Sequence, residues 1–227
     1  MTIGTLRETD LHAALKRHYA HPIDQLEVDV AGYVVDILRA DEIVEIQTHN
    51  FAALKRKLPH LLETHRVRLV HPLPIEKWIV RVQADRHTRI GRRKSPHHGE
   101  LIDLFVELVS LPGLIAHPNF TLEIALIHEE EIRCPAQKKR RSRWQRNWQT
   151  CNRRLLKVID RVEFTGPVDF RRFIPANLPS PFTSRDLAAA LNQPDYLAHK
   201  VTYCLRQMGT LEVVGKRCNA WLYAIKD

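Results

Sequence analysis

The chain has 227 residues, 44% hydrophobic and 27% charged, with a formal net charge of +9. That is enough apolar material for a real core in one or two domains. It contains no run near the ~18 consecutive apolar residues of a membrane span and no apolar secretory leader after Met1, so a cytoplasmic protein away from the membrane is expected.

The first element expected is an amphipathic helix between Thr5 and Tyr19, because Leu11, Ala14, Leu15 and Tyr19 recur at helical spacing. Two strands joined by a turn follow, Tyr33 to Arg39 and Glu42 to Thr48, with Val34, Ile37, Leu38, Ile43, Val44 and Ile46 as core-forming residues. Three polar side chains interrupt them. Glu45 and Gln47 are two residues apart on one strand and so share a face, which Asp36 on the neighbouring strand can join. A solvated strand face would explain them at no cost; polar groups planted among core residues also suit an oxygen-lined cation site. Asn50 is expected to cap a helix carrying Phe51, Leu54, Leu58, Leu61 and Leu62. Arg66 to Val70 and Trp78 to Val82 read as two further strands.

Helix, three-strand meander, helix and strand, with Asp on the second strand and Glu-x-Gln on the third, resembles the PD-(D/E)xK nuclease superfamily over about the first 83 residues. The nearest members are its Holliday junction resolvase-like and restriction endonuclease-like ones. The resemblance implies an α/β, restriction endonuclease-like core with a central mixed sheet. It also implies a catalytic set of Glu8, Asp36, Glu45 and Gln47, with Asp10 as the substitute for Glu8. Asp36 and Glu45 would hold Mg²⁺ or Mn²⁺, and the DNA substrate would be duplex or branched, cut by a possible homodimer. Gln47 stands where the superfamily usually has Lys, so the site lacks the cation beside the attacking water and leans on metal.

Four cysteines without a Cys-x-x-Cys pair read as reduced thiols, and the thirteen histidines show no zinc spacing. His49, beside Glu45 and Gln47, is the one histidine of interest.

Positive charge is concentrated in two places. One is a loop with Arg92, Arg93 and Lys94; the other runs from Gln137 to Lys157, with nine basic residues, among them Lys138, Lys139, Arg140, Arg141, Arg143 and Arg146, and no acid. Such density suits phosphate backbones. Trp144 and Trp148, four apart, read as one helical face docked on a neighbour, or as stacking surfaces for bases. Between the basic segments, Leu101, Leu104, Phe105, Leu108 and Val109 form a helical stripe, Phe120 to Ile127 reads as a strand, and Glu129 to Glu131 as its solvated end.

Near the C-terminus, Thr183 with Asp186 forms a helix cap, stapled by Phe182 and Leu187. A short helix to Leu191, a longer one from Asp195 to Met208, and two strands around Gly215 to Asn219 follow. Helix, tight turn, helix and basic-tipped hairpin resembles a winged helix-turn-helix. It implies a small α+β DNA-binding domain presenting His199, Lys200, Thr202, Tyr203, Arg206 and Gln207 to the major groove and Lys216 and Arg217 to phosphates. The expected organisation is a nuclease-like domain over 1–136, a basic linker or helix over 137–157, and the winged helix over 158–227. The function expected is a metal-dependent DNA endonuclease; the alternative is a catalytically inert nuclease-like fold serving as a DNA-binding regulator or architectural protein.

Overall fold

A computed structural model of the chain describes residues 9–136 and 148–226. Two compact units are present, each assembled from three segments: Met1–Pro22, Pro72–Glu100 and Ala125–Arg161 form one, and Ile23–His71, Leu101–Ile124 and Val162–Asp227 the other. A mixed sheet of seven strands runs from β1 (Gln25–Val30) through β2 (Tyr33–Arg39), β3 (Glu42–Ile46), β4 (Arg66–Val82) and β6 (Phe120–Pro135) to β7 (Trp148–Phe164), with β5 (Arg89–Lys94) also on β4. Its long strands β4 (Arg66–Val82), β6 (Phe120–Pro135) and β7 (Trp148–Phe164) contribute to both units.

In the second unit β1 (Gln25–Val30), β2 (Tyr33–Arg39) and β3 (Glu42–Ile46) form an antiparallel meander. Ala31 and Gly32, both at positive φ, make the first tight turn, and the Asp29 carboxylate accepts from the Gly32 N–H. From β3 the chain must cross over, because β4 runs parallel to it, pairing Glu42 with Arg66 and Glu45 with Leu69. The crossover is a 3₁₀ turn over Phe51–Leu54 and then the helix α2 (Lys57–Leu62). Asn50 does not cap a helix; it adopts a left-handed conformation without a side-chain cap bond. Pro59 explains the break: it lacks the N–H that a continuous helix would bond to the carbonyl of Lys55, and it is tolerated in the first turn of a new helix. The core here includes Ile37, Ile43, Leu58, Leu61 and Leu69. Val34, expected in it, is 62% exposed.

The two strands expected at 66–70 and 78–82 are one strand. Pro72 and Pro74 lie between the stretch of β4 paired with β3 and the stretch paired with β5 (Arg89–Lys94), so no ladder bond is missing there.

In the first unit α1 is Asp10–Tyr19, capped by Thr9, whose hydroxyl accepts from the His12 N–H. Glu129 and Glu131, expected as a solvated strand end, are buried instead. Arg153 and Lys77 hold Glu129, while Arg133, Lys77 and the Thr150 hydroxyl hold Glu131. Residues 148–157, expected as linker or helix, are strand, and Trp148 lies under the Arg81 guanidinium at 5.1 Å.

The stripe at 101–109 is a 3₁₀ turn followed by the four-residue helix α3 (Phe105–Leu108). Phe105 packs edge-on against Phe170 and Phe173, and Phe164 lies 4.4 Å from Phe170 by ring centroids. After them, α4 (Ser184–Leu191) starts on a capping box in which Thr183 and Asp186 bond each other's backbone N–H. Asn192, in the left-handed region, ends it, and α5 (Asp195–Gln207) follows. The hairpin β8 (Leu211–Arg217) and β9 (Ala220–Ile225) returns so that Tyr223 bridges Phe182. Among the described residues, no helix is long and apolar enough to cross a membrane.

Candidate functional site

Asp36 and Glu45 are brought together by register. β2 pairs with β3 through Ile37 with Val44 and Leu38 with Ile43, and the next step along that ladder puts Asp36 opposite Glu45. Directly opposed residues point to the same face. The Asp36 carboxylate also accepts from the Ile46 N–H at 2.8 Å, which ties it to β3.

Glu45 is 5% exposed, and its Oε2 is buried without a hydrogen-bond partner. Its Oε1 receives Lys57 Nζ at 2.5 Å, and the same ammonium donates to the Val34 carbonyl at 2.7 Å. Burial and then the Asp36 charge push the Glu45 carboxyl up to about 7, against the pull of Lys57. Lys57 was not among the residues singled out from sequence. A signal existed in the run Lys55-Arg56-Lys57 ahead of Pro59, because the helix restart makes Lys57 the first residue of α2.

Gln47 continues beyond β3, but its amide N–H groups donate to the carbonyls of His49 and Asn50, so its side chain braces the loop leaving the strand. Its own carbonyl accepts from the His71 ring, which packs edge-on against Phe51. His49 is exposed and hydrogen-bonded to the Thr48 hydroxyl. Glu8 lies outside the described residues. Asp10 belongs to the other compact unit, at the start of α1. Among the described residues no three His, Cys, Asp or Glu side chains gather as a metal site, so the Asp36–Glu45 pair supplies two carboxylates.

The basic residues divide into committed and available groups. Arg92 pairs with Glu130, Lys94 with Glu76, and both cations lie over the Trp78 ring. Arg93 is exposed on β5. Lys138, Lys139, Arg140, Arg141, Arg143 and Arg146, with Trp144, lie outside the described residues. On α5 the solvent face carries Tyr196, His199, Tyr203, Arg206 and Gln207. Thr202 is buried on the Ser184 hydroxyl and Lys200 reaches the Val106 carbonyl at 3.4 Å, so neither belongs to that face as the sequence suggested. On the hairpin, Lys216 lies over Trp221, while Arg217 is held by Asp186 and Thr183.

Residues 9–165 match the family described as Domain of unknown function (DUF8091). The chain belongs to this family. A relative in Treponema pallidum (strain Nichols), an uncharacterized protein, is 34% identical over 189 residues, covering 83% of this chain and 74% of the relative. No solved structure matches. In this member of the DUF8091 family the matched region includes Asp36, Glu45 and Lys57 and ends at residue 165, so that the 3₁₀ turn Pro167–Phe173, α4, α5 and the hairpin lie beyond it.

Proposed function

We propose that the chain is a metal-dependent DNA endonuclease centred on Asp36, Glu45 and Lys57, with a restriction endonuclease-like core and a C-terminal winged helix-turn-helix that holds DNA. The observation that carries this reading is the meeting of two opposed carboxylates with a lysine. These are the group types of the PD-(D/E)xK motif, with the lysine delivered from α2 rather than from the position of Gln47.

Asp36 and Glu45 would hold Mg²⁺ or Mn²⁺. Both are oxygen donors, as a hard cation prefers, and the orphaned Glu45 Oε2 is a buried acceptor in need of a positive partner. A bound Mg²⁺ supplies polarisation of the scissile phosphate and charge neutralisation at the leaving oxygen. Glu45 and Val34 use two of the three Lys57 N–H donors, which leaves one to orient a water or a phosphate oxygen. The ammonium also favours the ionised form of Glu45, the form a cation needs. Gln47 acts indirectly, by holding the chain between β3 and α2.

Arg93, the basic segment with Lys138 to Arg146, Arg206 and Lys216 are the proposed phosphate contacts, whereas Arg92, Lys94 and Arg217 would each have to leave a carboxylate first. Lys200 has a weaker claim because it is turned to the Val106 carbonyl. A homodimer would bring two such centres to two strands of duplex or branched DNA.

One observation favours the inert reading: Glu45 and Lys57 are both largely buried, which a purely structural ion pair would also be. Incubation of the full chain with plasmid and four-way junction DNA under Mg²⁺ or Mn²⁺ separates the two. Nicking that Glu45→Gln abolishes, with gel-shift affinity kept, supports the enzyme. Absence of cleavage in the wild type with DNA binding intact supports the inert fold.

A further inference from the structure

A groove of about 610 Å³ opens between the start of α4, the start of α5 and the tip of the β8–β9 hairpin. Its walls include Arg185, His199, Arg217 and Trp221. Arg185 is the more exposed of the two arginines, with its side chain 85% exposed against 58% for Arg217, and it lies 3.8 Å from Asp195. Trp221 is 47% exposed although Lys216 Nζ lies 4.1 Å from its ring centroid, so much of the indole still faces solvent.

The hairpin side of this groove is held in place. Arg217 reaches the Asp186 carboxylate and the Thr183 hydroxyl, which are the two members of the α4 capping box. Tyr223 and Phe182 exchange backbone hydrogen bonds beneath it. Arg217 and Asp186 neutralise each other, as do Arg185 and Asp195 in part, which leaves Lys216 to tilt the balance positive.

We infer that this groove takes an unpaired nucleotide of a DNA strand, its base stacked on Trp221 and its phosphate beside Arg185 and His199. This rests on the reading of the chain as a DNA-binding nuclease and names its substrate class: DNA with a single-stranded end or branch. An open indole edged by cations is a stacking platform for any base, because every base has a π face. The volume is that of a small-ligand site, sized for a nucleotide rather than for the convex barrel of a duplex. Intact duplex would meet Tyr203, Arg206 and Gln207 on the solvent face of α5, which do not line the groove.

The test measures binding of the full chain in EDTA, without cleavage, to a blunt duplex and to the same duplex bearing a short oligothymidine overhang. The overhang is expected to tighten binding about tenfold. Trp221→Ala should erase that gain and leave blunt-duplex affinity unchanged, and Trp221→Phe should restore most of it. Arg185→Ala should lower the salt dependence for the overhang substrate alone by about one ion. Equal affinity of the wild type for both DNAs overturns the proposal. So does a Trp221→Ala variant with native circular dichroism that keeps the overhang preference or weakens both DNAs alike. Cleavage is scored separately with Mg²⁺: nicking with no overhang preference sinks the groove alone, and an overhang preference with no nicking sinks the nuclease alone.

Discussion

Lys57 Nζ lies 2.5 Å from Glu45 Oε1 although 12 residues separate them in the chain. The parallel crossover from β3 to β4 brings the first residue of α2 onto the β2–β3 face. A cation thereby stands at the carboxylate pair although Gln47, two residues along the strand from Glu45, is neutral.

Lys57→Met should lower nicking by about 10²-fold or more while leaving gel-shift affinity within about twofold. Lys57→Arg should not rescue, since a planar guanidinium cannot copy a compact ammonium bonded to both Glu45 and Val34. Single-turnover cleavage with a parallel gel shift reads both. Full activity in Lys57→Met removes the lysine from the mechanism.

Asp36→Asn keeps an oxygen able to accept from the Ile46 N–H, so the β2–β3 pairing should survive. Removing the charge should weaken Mg²⁺ or Mn²⁺ binding about tenfold or more, measured by calorimetry. Unchanged affinity would place any cation elsewhere.

Glu45 has a folded-state pKa of about 7, raised from the ordinary glutamate value of 4.5 by burial and the Asp36 charge. Between those values the folded state binds more protons than the unfolded one, so the group's contribution to stability falls as pH rises through that window. In EDTA, the stability difference between wild type and Glu45→Gln should drop by about 3 kcal/mol from about pH 4.5 to about pH 7.5, read by urea titration at each pH. A flat difference would mean that Lys57 holds Glu45 ionised throughout.

Arg68 holds Glu42, the buried Glu123 and Glu163 at once. Arg68→Met removes the cation shared by three carboxylates, one of them buried, and should cost about 3–5 kcal/mol in urea unfolding. A loss below about 1 kcal/mol would show these pairs to be surface-like.

Replacing Arg140, Arg141, Arg143 and Arg146 with Ala should weaken DNA binding and flatten its dependence on salt, because every phosphate left without its arginine keeps its condensed counterion. An unchanged slope in a salt titration would return the segment to a linker.

Local patterns were legible in the sequence because they depend on neighbours. Apolar, β-branched runs marked the strands Tyr33–Arg39 and Glu42–Ile46, and strand periodicity with their antiparallel pairing gave the shared face of Asp36 and Glu45. Thr183 and Asp186 marked the start of α4, where a cap needs only three residues of spacing. What depended on distant chain was decided by tertiary structure alone. Arg66–Val70 and Trp78–Val82 read as two strands, yet β4 passes through Pro72 and Pro74 between them because no partner strand needs their N–H groups. Glu129 and Glu131 read as solvated, yet Lys77 and Arg153 from other strands allow their burial. Lys57 gave no sign of its partner, since a parallel crossover joins groups that no strand or helix period relates. Sequence thus determined the β2–β3 strands, the start of α4 and the two carboxylates, and only the packing of β3, α2 and β4 decided which cation meets them.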